Sequence, residues 1–232
     1  MKEKDYLKDI IEIKSIMNRS SRFISLSGLS GILAGIYALI GAAIAIYILG
    51  NYKNSYSGVS LIPISYLEYI LIAIALIVLI ISVLTAFILS AKKAKKSGEK
   101  LWDTTSKRLL INFTIPLFTG GFFCLVLYQN NLIGLIAPST LIFYGLACLN
   151  ASKYTFNDIR YLGVTEIILG LVACFFVGYG LIFWAIGFGV LHIIYGISML
   201  FIGLITLYIS NKLFFKGGVE GMVAPNAAPS TT

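Results

Sequence analysis

Two ionisable side chains stand inside apolar runs: Glu166 in "YLGVTEIILG" (161–170), and His192, the single histidine, in "LHIIYGISML" (191–200). A carboxylic acid beside an imidazole can share, store or relay a proton. In hydrocarbon each group is costly unless it turns inward toward partners. At about 100° per residue, Gly163, Glu166, Gly170 and Ala173 share one helix face. Ala185, Gly189, His192, Gly196, Met199 and Gly203 form a similar small-residue stripe in the last run. Both groups are therefore predicted to face the interior of a bundle.

Their relative depth depends on the turn between the two runs. If it centres on Tyr179 in "GYG" (178–180), residues 166 and 192 are each thirteen positions away and lie at one depth. That depth is roughly 14 Å above the cytoplasmic end of a span starting at Asn157. A turn at "GFG" (187–189) would instead leave His192 near the outer surface. A matched pair reads in two ways. It is a proton-sensitive switch or relay, or Glu166 is neutral and locks helix packing through a hydrogen bond. The repeat described below sets Thr114, and less directly Gly28, at positions matching Glu166, so the acid belongs to one hairpin and not to a symmetric pore lining.

Other chemistry finds little support. Ser30 in "GLSG" (28–31) lies near the cytoplasmic end of the first run, where a nucleophile would still need a base within hydrogen-bond reach, and reads as part of a small polar packing face with Ser25 and Ser27. Cys124, Cys148 and Cys174 fall singly inside apolar runs, where a thiol behaves as a small hydrophobe. With one histidine and no cysteine cluster, no metal site is expected. Glu68, Glu99, Asp103 and Asp158 scatter at run boundaries as solvated caps or flanks. No glycine loop cradles phosphate. No catalytic residue and no cofactor is expected.

The elements that hold these residues follow from composition. The chain has 232 residues, 58% hydrophobic and 12% charged, with a mean hydropathy of +0.90. Such a chain cannot give a water-soluble surface. Its apolar runs have bilayer-spanning length and no strand-like alternation. Six spans are predicted, at about 25–49, 66–91, 109–128, 132–150, 157–178 and 181–211. The fold class is therefore an all-α polytopic membrane helix bundle. Residues 1–22 form an amphipathic interfacial helix, 23–212 the six-span domain and 213–232 a disordered cytosolic tail. No cleavable signal peptide is read at the start.

Seventeen of the eighteen basic residues fall on one side of these spans, and only Lys53 falls on the other. The positive-inside rule places both termini in the cytoplasm. This topology accounts for the net charge of +8. The basic residues are split among loops and make no nucleic-acid surface. The run Lys92, Lys93, Lys95, Lys96 reads as a solvated stop signal below the second span, or as a contact for anionic lipid or a cytosolic partner.

Two stretches look alike: "IFYGLACL" (142–149) and "IIYGISML" (193–200), with Arg108 and Arg160 each just before a span. Spans three–four and five–six then read as copies of one hairpin, and Arg22-Phe23 suggests a more diverged third. Copies with an even number of spans lie parallel, unlike the inverted repeats of many transporters. Gly28, Gly31, Gly35, Ala38, Ala42 and Ala45 form a seam on span one. It serves either a helix of the same chain or a second copy. Pro116 and Pro138 are expected to kink spans three and four.

The stretch "IIEIKSIMNRSSRFISLSGLSGILAGIYALIGA" (10–42) resembles the start of a family of uncharacterised multi-pass inner-membrane proteins of Bacteroidota-type bacteria. The resemblance implies a signalling or regulatory role beside a small winged-helix regulator, and supplies no catalytic residues. The expected function is a non-enzymatic sensor, scaffold or regulatory partner that meets membrane lipid, a cytosolic regulatory protein or a second copy. The alternative is a small proton-linked transporter or channel using Glu166 and His192. A hydrophilic cavity at Glu166 would favour transport, and a dry packed bundle the scaffold.

Overall fold

The computed structural model describes residues 28–54, 64–97, 102–155, 158–205 and 208. Within them the chain forms helices: α1 (Gly28–Asn54), α2 (Ile64–Ser97), α3 (Thr104–Gln129), α4 (Ile136–Ala151) and α5 (Asp158–Phe175). The last helix, α6, starts as Gly180–Trp184, runs as a π-helix over Ala185–Leu191 and returns to α-helix over 192–205. The expected helix over 1–22 and tail over 213–232 lie outside the described residues.

Five segments are long and apolar enough to cross a membrane: Gly28–Tyr52, Tyr66–Lys96, Thr104–Gln129, Ile133–Ala151 and Val177–Ile205. α5 is shorter, 18 residues, and carries Asp158, Arg160 and Glu166. The surface of the bundle is built of large apolar side chains. Leu76, Ile80, Leu84, Phe118, Phe122 and Phe175 are all exposed. Water does not tolerate such a continuous surface, and lipid does. Many of the buried positions are small, among them Ala38, Ala42, Ala147, Ala151 and Ala173. That inversion is how helices associate in lipid, where close backbone approach replaces a hydrophobic drive.

Local chemistry sets the ends of α3. Asp103 Oδ1 accepts from the Ser106 amide (2.7 Å) and hydroxyl (2.6 Å), an N-cap that starts the helix before the apolar run begins. The helix therefore begins at Thr104, earlier than the run alone predicts. It ends at Asn130-Asn131, where Asn131 takes φ 59° to reverse the chain. Inside α3, Pro116 supplies no N–H for the Asn112 carbonyl one turn before it. The Asn150 side chain of α4 donates to that carbonyl at 3.0 Å. Pro138 differs from expectation. A 3-10 turn over Ile133–Leu135 precedes α4, so Pro138 is the third residue of the helix, where a missing N–H costs nothing and no kink is required.

α5 and α6 are joined at Phe176 and the 3-10 turn Val177–Tyr179. The chain thus reverses at the "GYG" position. The alternative turn at 187–189 lies inside the π-helix and reverses nothing.

Two glycine seams hold the core. A Cβ placed on Gly145 would lie 2.6 Å from the Gly163 carbonyl oxygen, and one on Gly163 would lie 2.7 Å from that of Gly145. A Cβ on Gly28 or Gly196 would lie 2.5 Å from the other's carbonyl oxygen. Only glycine permits this approach of α4 to α5 and of α6 to α1. The two seams share one spacing. Gly163, Ile167 and Gly170 meet Gly145, Ile142 and Pro138 as Gly28, Ile32 and Gly35 meet Gly196, Ile193 and Gly189. This contact register sets Gly28 against Gly163, three residues from the Glu166 position inferred through Arg22 and Arg160. The α1 seam thus meets α6 of the same chain, with Ala38 and Ala42 buried further along it. Among the described residues α2 packs chiefly on α1, and the Tyr128 hydroxyl of α3 donates to Glu68 of α2 at 3.3 Å.

Candidate functional site

The site is assembled by α4, α5 and α6. Glu166 is 0% exposed, held at mid-helix in α5. His192 of α6 is buried, with Nδ1 3.5 Å from Glu166 Oε1. The two residues predicted to share a depth are thus in contact. The contact is longer than a good hydrogen bond, and neither carboxyl oxygen of Glu166 has a hydrogen-bond partner.

The histidine ring is held at both nitrogens. Nδ1 lies 3.1 Å from the Gly187 carbonyl oxygen, and Nε2 lies 2.7 Å from the Tyr144 hydroxyl of α4. A carbonyl can only accept, so Nδ1 carries hydrogen and donates to Gly187. In the neutral ring Nε2 then accepts from the Tyr144 O–H. One hydrogen on Nδ1 therefore has two acceptors near it, the Gly187 carbonyl and the Glu166 carboxyl group. Aromatic rings close the other sides. Phe188 is 5.8 Å from the His192 ring and 5.0 Å from the Tyr144 ring, with Trp184 and Phe113 behind them.

Gly187 completes the cluster. A Cβ there would sit 2.6 Å from Glu166 Oε2 and against Leu141. The acid is packed into space that only a glycine leaves. Gly187 also lies in the π-helix, Ala185–Leu191. π-segments loosen the regular backbone bonding of a helix and recur at functional sites. Here the segment sets Gly187 toward Glu166 while Gly189 faces α1, where the Gly35 approach lies.

The remaining sequence-derived residues lie elsewhere. Gly28, Gly31 and Gly35 line the α1–α6 seam, and a Cβ on Gly31 would meet the His192 carbonyl oxygen at 3.3 Å. The seam therefore braces the backbone of the histidine. Lys92, Lys93, Lys95 and Lys96 end α2, with Lys95 and Lys96 in its last turn, where cations suit the helix terminus. They take no part in the buried cluster. Gly203, predicted to continue the α6 stripe, has open space where a Cβ would be. Cys124, Cys148 and Cys174 are free thiols. Among the described residues no group of three or more His, Cys, Asp and Glu could hold a metal ion.

Tyr144, Gly187 and Phe188 are the site residues that spacing did not single out. The Tyr-Gly pair at 144–145 was visible as a repeat mark. A hydroxyl in the middle of an apolar run was the available signal that Tyr144 has a polar partner. No protein family model, curated protein or solved structure matches the chain.

Proposed function

We propose that the chain is a non-enzymatic, six-span membrane protein that acts as a sensor or regulatory partner, with the Glu166–His192 pair as its proton-responsive element. One observation carries this reading: a completely buried acid with both oxygens unpartnered, 3.5 Å from a histidine nitrogen that already has another acceptor. A buried polar group without a partner costs free energy on the order of 1–3 kcal/mol. A second arrangement that supplies the partner is then close in energy. The Nδ1 hydrogen can leave the Gly187 carbonyl for the Glu166 carboxylate, turning the imidazole against the π-helix. Gain or loss of a proton by the pair selects between the two arrangements, and α6 transmits the choice through its seam to α1.

The distribution of basic residues supports an orientation with both termini in the cytoplasm, and the resemblance of residues 10–42 supports a bacterial inner membrane. The matched glycine seams support the reading of repeated parallel hairpins. The resemblance of residues 10–42 to uncharacterised multi-pass proteins supports a cytosolic regulatory partner. The closed packing of Leu141 and Gly187 around Glu166 favours a sensor over a transport path.

The test is the pH profile of thermal stability in a mild detergent for the wild type, Glu166→Gln and Tyr144→Phe. The proposal expects the wild-type midpoint to move with pH and Glu166→Gln to remove that component with the fold retained. Tyr144→Phe, which removes the hydroxyl at Nε2, is expected to displace the profile along the pH axis. Identical profiles for all three would refute the switch and leave Glu166 as packing alone.

A further inference from the structure

Two shallow apolar grooves flank one ridge on the outer face of α3. The first is lined by Leu110, Ile111, Thr114, Ile115 and Phe118. The second lies between α3 and α4, with Pro116, Thr119, Phe143 and Leu149 along it and Asn150 and Lys153 at its foot. Ile115 is the wall they share.

Helical spacing carries each groove onto a cation. Lys107 stands three, four and seven residues before Leu110, Ile111 and Thr114, so it continues the first stripe. Arg108 stands seven and eleven before Ile115 and Thr119, so it continues the second, with Lys153 at its foot on α4. All three cations are exposed. The nearby acid, Asp103, is engaged by Ser106 as the helix cap.

This face is built differently from the two helix seams. Those bring backbones together through glycines. Here Ile111, Ile115 and Phe118 project from the ridge, which keeps another helix backbone at a distance. Two shallow apolar grooves that share Ile115, each running along the helix toward a cation, fit two acyl chains under one phosphate.

We propose that this face is a binding site for one anionic phospholipid, with its chains in the two grooves and its phosphate on Lys107, Arg108 and Lys153. The long side chains of these cations reach the headgroup layer from helix ends. The site is separate from the Glu166–His192 cluster and does not depend on it.

The full chain is reconstituted in nanodiscs of phosphatidylcholine and phosphatidylglycerol in equal parts, released gently, and examined by native mass spectrometry. The wild type is expected to retain one phosphatidylglycerol in preference to phosphatidylcholine. Lys107→Gln/Arg108→Gln/Lys153→Gln should lower that retention at least about tenfold, in line with the attraction of a few cations to an anionic headgroup. Leu146→Trp, which fills the second groove without touching charge, should lower it as well. Replacing Lys92, Lys93, Lys95 and Lys96 with Gln should leave it unchanged. The site is overturned if the α2 variant loses the lipid as fully as the triple variant, if the triple variant retains it, or if a second copy occupies the face in place of lipid. A thermal midpoint measured in detergent for each variant separates lost lipid from lost fold.

Discussion

Asp103 shows how a single side chain sets an element boundary. Slight burial pushes its carboxyl group up, but the Ser106 hydroxyl and amide outweigh this and hold it below the ordinary carboxylate value. A group depressed in the folded state adds stability that is present above its unfolded value, near pH 3.9, and lost as pH falls through the folded value. The cap should therefore be intact at neutral pH and loosen only in acid. Asp103→Ala is expected to cost about 1 kcal/mol, and Asp103→Asn much less, because asparagine also caps. Chemical denaturation of the three proteins at neutral pH checks this. A loss as large for Asn as for Ala would contradict the cap. At the same scale, Gly187→Ala should press its methyl group on Glu166 Oε2 and Leu141. Overpacking of that kind costs about 1–3 kcal/mol, read as a lower thermal midpoint. The sequence showed Glu166 and His192 as a pair because distance from a turn can be counted. It did not show Gly187 or Tyr144 in their roles, because these depend on a neighbouring helix and on a π-segment that leaves no periodic mark.

Among the elements, α3 and α4 are joined through a proline. Pro116 removes a backbone bond, and Asn150 restores a donor to the Asn112 carbonyl. The coupling between these residues can be measured by a double-mutant cycle. Asn150→Ala alone should cost about 0.5–1.5 kcal/mol. In a Pro116→Ala background the helix supplies its own N–H to that carbonyl, and Asn150→Ala should then cost distinctly less. Equal costs in both backgrounds would show that the asparagine acts elsewhere. The glycine seams make a second prediction. Gly163→Val should force α4 from α5 by collision with the Gly145 carbonyl, whereas Gly121→Val, which meets open space, should be tolerated. Helix positions were legible from apolar run length. Helix ends were not, since Asp103 and the 3-10 turn before α4 decide them locally. Small-residue faces were legible too, but which helices they would join was not, because a face read from spacing carries no partner.

On the scale of the whole molecule, a lipid-facing surface, two glycine seams and one buried polar cluster make a bundle whose α6 touches both the cluster and α1. The proposed orientation makes a direct prediction. Cysteine placed at Lys53, in an otherwise cysteine-free protein, should react with an impermeant thiol reagent added outside intact cells, and cysteine at Lys107 should not. The reverse pattern would invert the topology. The proposed switch itself is the proton at Glu166. Infrared difference spectroscopy of the purified protein in lipid, stepped between acid and alkaline pH, reads it most directly. A proton-responsive pair gives a carboxylic-acid carbonyl band that changes with pH and is absent from Glu166→Gln. A band that persists unchanged in Glu166→Gln, or one from Glu166 that stays constant across the whole pH range, would contradict a proton-responsive pair.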